Sequence, residues 1–91
     1  MTITIKGRDA GRVLSFEDTN QVLTLEQKAS GEFTISNEDE TWIMIKLMRI
    51  TGVSSKEITP EQIRDGDKLD IFVWNSVGGN ELMKLEIVSV N

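Results

Sequence analysis

Apolar side chains recur at every second position in short runs along this chain, and polar or turn-forming residues separate the runs. Thr2 to Lys6 reads Thr-Ile-Thr-Ile-Lys, a period of two that sets Ile3 and Ile5 on one face of a strand. Arg12 to Glu17 brings Leu14 and Phe16 together. Gln21 to Glu26 places Leu23 and Leu25 on one side, with Val22 and Thr24 opposite. Phe33 and Ile35 mark a further short strand. Gly7 to Gly11, Asp18-Thr19-Asn20, Ser30-Gly31 and Asn37 to Glu40 supply the breaks.

Thr41 to Ile50 (TWIMIKLMRI) is the most apolar stretch. Its Met, Leu and Lys suit a helix by composition, but strand is the better reading. Ile43, Ile45 and Leu47, with Arg49, would lie on one face, and Trp42, Met44, Lys46 and Met48 on the other. Gly52 to Ser55 then turns the chain. Thr59-Pro60-Glu61-Gln62 reads as a helix start, with Thr as N-cap and Pro at the first helical position. Only about one turn fits there before Asp65-Gly66.

The most informative run is DGDKLDIFVWNS, Asp65 to Ser76. A polar turn feeds the β-formers Leu69, Ile71, Phe72, Val73 and Trp74. Asn75-Ser76 and Gly78-Gly79-Asn80 break the run, and Glu81 to Val90 forms its partner, so a hairpin with a loop of moderate length is predicted. Seven candidate strands at this spacing predict an all-β chain. The expectation is one domain over residues 1–91, an antiparallel β-sandwich of about seven strands. Its core is expected from Ile3, Ile5, Leu14, Phe16, Leu23, Leu25, Phe33, Ile35, Ile43, Ile45, Leu47, Leu69, Ile71, Val73, Leu85 and Ile87.

Composition narrows the chemistry. With no His and no Cys, the commonest general base, the commonest transition-metal ligand and the thiolate nucleophile are all missing. Ten basic residues against fifteen acidic ones give a net charge of -5. An acidic chain repels phosphate backbones, so no nucleic-acid partner is expected. No apolar run approaches the roughly 20 residues needed to cross a bilayer, and no signal peptide is visible at the first residues. GRDAG at Gly7 to Gly11 lacks the Lys-Ser/Thr ending of a phosphate loop. Neither an enzyme activity nor a cofactor is expected.

Three features could bind something. If Ile71 and Val73 point inward, Phe72 and Trp74 point outward as an aromatic pair. With Trp42 they could form a sugar-stacking platform, although packing is the commoner fate of a tryptophan. Asp65, Asp67 and Asp70 could offer oxygens to calcium, but their spacing is not that of an EF-hand loop, and solvation of a turn explains them equally. The acidic stretch Asn37 to Glu40 could steer the chain toward a basic partner.

The run Gly66-Asp67-Lys68-Leu69-Asp70-Ile71-Phe72-Val73-Trp74-Asn75-Ser76, followed by Met83-Lys84-Leu85, resembles the closing hairpin of fibronectin-III-like or immunoglobulin-like modules of bacterial secreted and surface proteins. The proline that typically follows the Met-Lys pair is absent, and the loop is longer by a few residues. The resemblance covers roughly 20 residues of the chain. It implies a sandwich fold and an accessory or spacer role in a longer extracellular or surface protein, with a protein or polysaccharide partner, and it carries over no catalytic residue. The alternative expectation is a small free-standing acidic protein, cytoplasmic, that acts by protein–protein contact, such as a phage or virion component or an immunity-type inhibitor. Either would be a monomer or a dimer formed by pairing of sheet edges.

Overall fold

Alternation of apolar and polar residues is realised as extended chain almost throughout. A computed structural model describes residues 1–7, 20–37, 40–77 and 79–91. Seven strands lie among them: β1 (Thr2–Gly7), β2 (Asn20–Gln27), β3 (Phe33–Ser36), β4 (Thr41–Thr51), β5 (Ser54–Glu57), β6 (Lys68–Asn75) and β7 (Gly79–Val90). Every pairing is antiparallel. The strand expected over Arg12 to Glu17, with Leu14 and Phe16, lies outside the described residues.

All seven strands belong to one sheet, in the order β3-β2-β1-β7-β6-β4-β5, and β3 also pairs with β4. That extra pairing joins the two sides, so six strands form a closed ring and β5 hangs from β4 as an arm. Two separately bonded layers were expected; one continuous, self-closing sheet is observed. Consecutive strands are neighbours around the ring, apart from the β5 arm between β4 and β6, so among the described residues the ring has none of the crossovers of a Greek key. Closure shortens the edges of the ring strands, although among those described residues 20–23 of β2 and 44–46 of β4 pair on one side only. Among the described residues β5 keeps an open edge, and it is four residues long, fully exposed, and carries Lys56. Short length and a lysine are the usual guards against edge pairing.

The interior is filled with side chains. Ile3, Ile5, Leu23, Ile35, Leu69, Ile71, Val73, Met83 and Leu85 are wholly buried, with Leu25, Trp42, Leu47 and Ile87 beside them. These positions alternate along β1, β2, β6 and β7 as the period-two pattern requires. On β4 the expected face is corrected. Ile45 is 57% exposed and Ile43 only half-buried, whereas Trp42 is buried. The pairing of β4 with β6 shifts between Met44 and Lys46. One extra residue at this bulge reverses which side chains face in, so Trp42 and Met44 share the inner side with Leu47 and Arg49. A second register shift separates Thr4/Ile5 of β1 from Ser89/Ile87 of β7, with Val88 as the extra residue. The two long strands are thus the bulged ones, and bulges bend a sheet toward closure.

Residues 58–67 stop one end of the barrel. The Ile58 N–H donates to the Leu47 carbonyl at 2.9 Å; at the other end the Gly66 N–H donates to the Ile87 carbonyl, and the Ile87 N–H to the Asp67 carbonyl, both at 2.8 Å. Between these tethers Ile58, Pro60 and Ile63 are buried, and Ile58 and Ile63 belong to the core. The single 3-10 turn Pro60–Gln62 falls where one turn was expected, and the Gln62 side chain accepts from the Thr59 N–H at 2.8 Å. Arg49 locks this stopper. Its guanidinium meets Asp67 Oδ2 from Nε at 3.2 Å and Nη2 at 3.1 Å, and Nη2 also donates to the Gln62 carbonyl. The same carboxylate oxygen accepts from the Arg64 N–H at 2.9 Å.

Both charged side chains are largely shielded, 19% and 10% exposed, so removing one strands the other. Arg49→Ala should lower unfolding stability by about 2–3 kcal/mol, whereas Lys56→Ala on the exposed arm should change it by less than about 0.5 kcal/mol. Urea denaturation of the two variants checks this; equal midpoints would show that the clamp does not hold the stopper.

Candidate functional site

Strand β6 sets the geometry of the outer surface. Leu69, Ile71 and Val73 are fully buried, so Lys68, Asp70, Phe72 and Trp74 stand on the outside. Phe72 and Trp74 are 39% and 41% exposed. Two positions apart on one face, they lie about 7 Å from one another along the strand. The outward aromatic pair expected from the alternation is present.

The pairing registers give the neighbours. Trp74 stands between Ile43 of β4 and Asn80 of β7, and Phe72 between Lys46 and Leu82. Asp70 stands between Met48 and Lys84, and Lys68 between Ile50 and Glu86. Directly opposed side chains are within reach of one another. Ile45, in the bulge beside Lys46, adds another exposed aliphatic group. The outside of β4, β6 and β7 is therefore an apolar field of Ile43, Ile45, Met48, Ile50, Phe72, Trp74 and Leu82, where a solvated barrel face would be polar.

The field is framed by ordered polar contacts. Asn75 donates from its side-chain amide to the Thr41 carbonyl at 3.2 Å and accepts from the Val77 N–H at 2.8 Å. This pins the β6–β7 turn to the start of β4, with Val77 almost fully exposed at its tip. Gly79 takes φ +75°, which a side chain would resist. It pairs with Asn75, so the loop is shorter than the sequence suggested. Lys84 Nζ lies 3.7 Å from Asp70 Oδ2.

The other sequence candidates separate. Trp42, 2% exposed, faces the interior opposite Ile35, so it packs the seam between β3 and β4 and is no part of the outer field. Asp65, Asp67 and Asp70 do not converge. Asp65 accepts from the Val90 N–H at 2.9 Å, Asp67 holds Arg49, and Asp70 faces Lys84. No group of three carboxylates among the described residues is arranged to hold a metal ion. Of the acidic stretch, residues 38–39 lie outside the described residues.

Sequence reasoning missed Ile43, Ile45, Leu82 and Lys46 as companions of the aromatic pair. The only signal was that both faces of Thr41 to Ile50 are apolar, one more face than a barrel wall buries. No protein-family model, curated protein or solved structure matches this chain.

The two tryptophans occupy opposite environments, and the chain has no tyrosine to obscure them. Trp42→Phe should leave a red-shifted emission that acrylamide quenches readily, and Trp74→Phe a blue-shifted, protected one. Trp42→Ala should cost about 3–5 kcal/mol in stability; Trp74→Ala should cost under about 1 kcal/mol. Fluorescence and denaturation of these variants measure both contrasts.

Proposed function

We propose that this chain is a non-catalytic binding module that engages a protein partner through the outer face of β4, β6 and β7. The observation that carries the reading is the outward Phe72–Trp74 pair set beside Ile43, Ile45 and Leu82 on a closed sheet. Aromatic and aliphatic anchors on a preordered surface are the groups from which protein interfaces draw most of their energy. Catalysis finds no support in the geometry, since the shielded charged groups of the barrel mouth hold one another.

A polysaccharide partner is the competing occupant of the same face. Sugar platforms combine flat rings with hydrogen-bonding groups that read hydroxyls. Here two of the four residues directly opposite the rings are aliphatic, Ile43 and Leu82, with the exposed Ile45 beside them, which favours a protein surface, while Lys46 and Asn80 are the polar groups a sugar would use. The accessory-module reading, with an immunoglobulin-like or fibronectin-III-like sandwich in an extracellular protein, rests on the closing hairpin alone, and the crossover-free ring weighs against that topology. Thr2 and Asn91 also exchange two backbone hydrogen bonds, at 3.2 and 2.9 Å. Any chain flanking this unit on both sides would enter and leave at one point, a poor geometry for a spacer.

The test compares wild type with Phe72→Thr/Trp74→Thr, in which threonine keeps the strand preference. Circular dichroism and melting first verify that the variant folds. A native protein retained by wild type and lost by the variant is the expected result, together with a silent glycan array. A glycan signal that disappears in the variant would transfer the face to carbohydrate, and a protein retained equally by both would exclude the face as the contact.

A further inference from the structure

The outer field is not only apolar; it is the basic side of an acidic molecule. On the outward positions of β1, β4, β5, β6 and β7 the charged side chains are Lys6, Lys46, Lys68 and Lys84 against Glu57, Asp70 and Glu86. Four lysines and three carboxylates leave this face one positive charge in surplus. With -5 for the whole chain, the remainder carries six negative charges net.

The arrangement of the seven groups sharpens the point. Glu86 stands between Lys68 and Lys6 in the pairing register, and Asp70 stands beside Lys84. These two carboxylates are thereby offset by lysines of their own face, and the third, Glu57, stands opposite Met48 at the β5 margin. Lys46 is exposed, next to Phe72, and has no carboxylate within ion-pair distance among the described residues. The unbalanced charge thus sits against the aromatic centre of the patch.

Resting on the protein-contact reading above, we infer that the partner presents a segment combining carboxylates with aromatic or aliphatic anchors, the anchors seated on Phe72, Trp74 and Leu82 and the carboxylates on Lys46 and Lys68. Opposite charge around an apolar centre raises association rates and rejects wrong partners. A nucleic-acid strand fits less well. Its phosphates would meet Asp70 and Glu86 between the lysines, and Ile43, Met48 and Ile50 offer no ring on which a base could stack.

The probe is a phage-displayed random-peptide library panned on wild-type protein, with counter-selection on Phe72→Thr/Trp74→Thr. The expected result is a consensus of Asp or Glu interleaved with Trp, Phe or Leu. Lys46→Glu should weaken a peptide of that consensus by on the order of ten-fold, with less loss at high salt. A basic or charge-free consensus would overturn the inference and leave the contact face standing. No enrichment over the counter-selection would remove both. Two further results would also overturn it: oligothymidylate quenching Trp74 at physiological salt, which assigns the face to nucleic acid, or sedimentation showing an oligomer that the double variant dissolves, which assigns it to a second copy of the chain.

Discussion

The structure depends on closing a sheet of six strands around an interior filled with side chains. The closing contact is the pairing of β3 with β4, only three residue pairs long, in which Ile35 and Trp42 oppose one another on the inner side. A seam so short gains little from its ladder. Its strength comes from the apolar area sealed behind it, and a tryptophan supplies more of that than any other side chain. Strand β4 must also serve β6 along most of its length and β5 at its far end. A flat strand cannot do this, and the bulge at Ile45 supplies the bend. The same residue that lets the ring close turns Trp42 inward and Ile45 outward, so closure and the outer apolar field have one origin.

The barrel mouth extends this logic. Arg49 occupies an inward position of β4, opposite Leu69, and its guanidinium rises to Asp67 at the rim. The arginine stem covers core while the charged end meets its partner, an economical use of an amphipathic side chain. Asp67 precedes Lys68, so the clamp fixes the entry of β6. The entry phase of a strand decides which residues face out along all of it. Phe72 and Trp74 are therefore held outside by the alternation of β6, by its pairing on both sides, and by an ion pair at its start.

Much of this was readable from alternation alone. Ile3 and Ile5, Leu23 and Leu25, and Leu69, Ile71 and Val73 carry clean period-two signals, and all are buried as that signal implies. The outward aromatic pair followed from the same pattern. What alternation could not supply was a break in its own parity. With both faces of Thr41 to Ile50 apolar, nothing local shows where an extra residue enters, and the inward face of β4 was assigned wrongly on the near side of the bulge. Strand β5 escaped because Ser-Ser-Lys-Glu has no apolar member; it is strand only because β4 offers it a ladder. Ile58 and Ile63 escaped because a stopper is a tertiary role with no periodicity. The closed ring itself, against two layers, hinges on β3 meeting β4, a pairing that short strands with turn signals leave open.

An apolar field on the outside of a small barrel carries a hazard, because two copies could bury it against each other. The charges bear on which contacts are favoured. Face-to-face pairing would bring Lys6, Lys46, Lys68 and Lys84 of one copy against the same four of the other, with Glu57, Asp70 and Glu86 on each side to offset them in part. The guarded β5 edge works in the same direction against pairing by strand addition. A partner with carboxylates around its anchors meets neither obstacle. On the proposed reading, the lysines that would burden the symmetric contact would assist the asymmetric one, so a single arrangement of charge would serve both against self-association and for its complement.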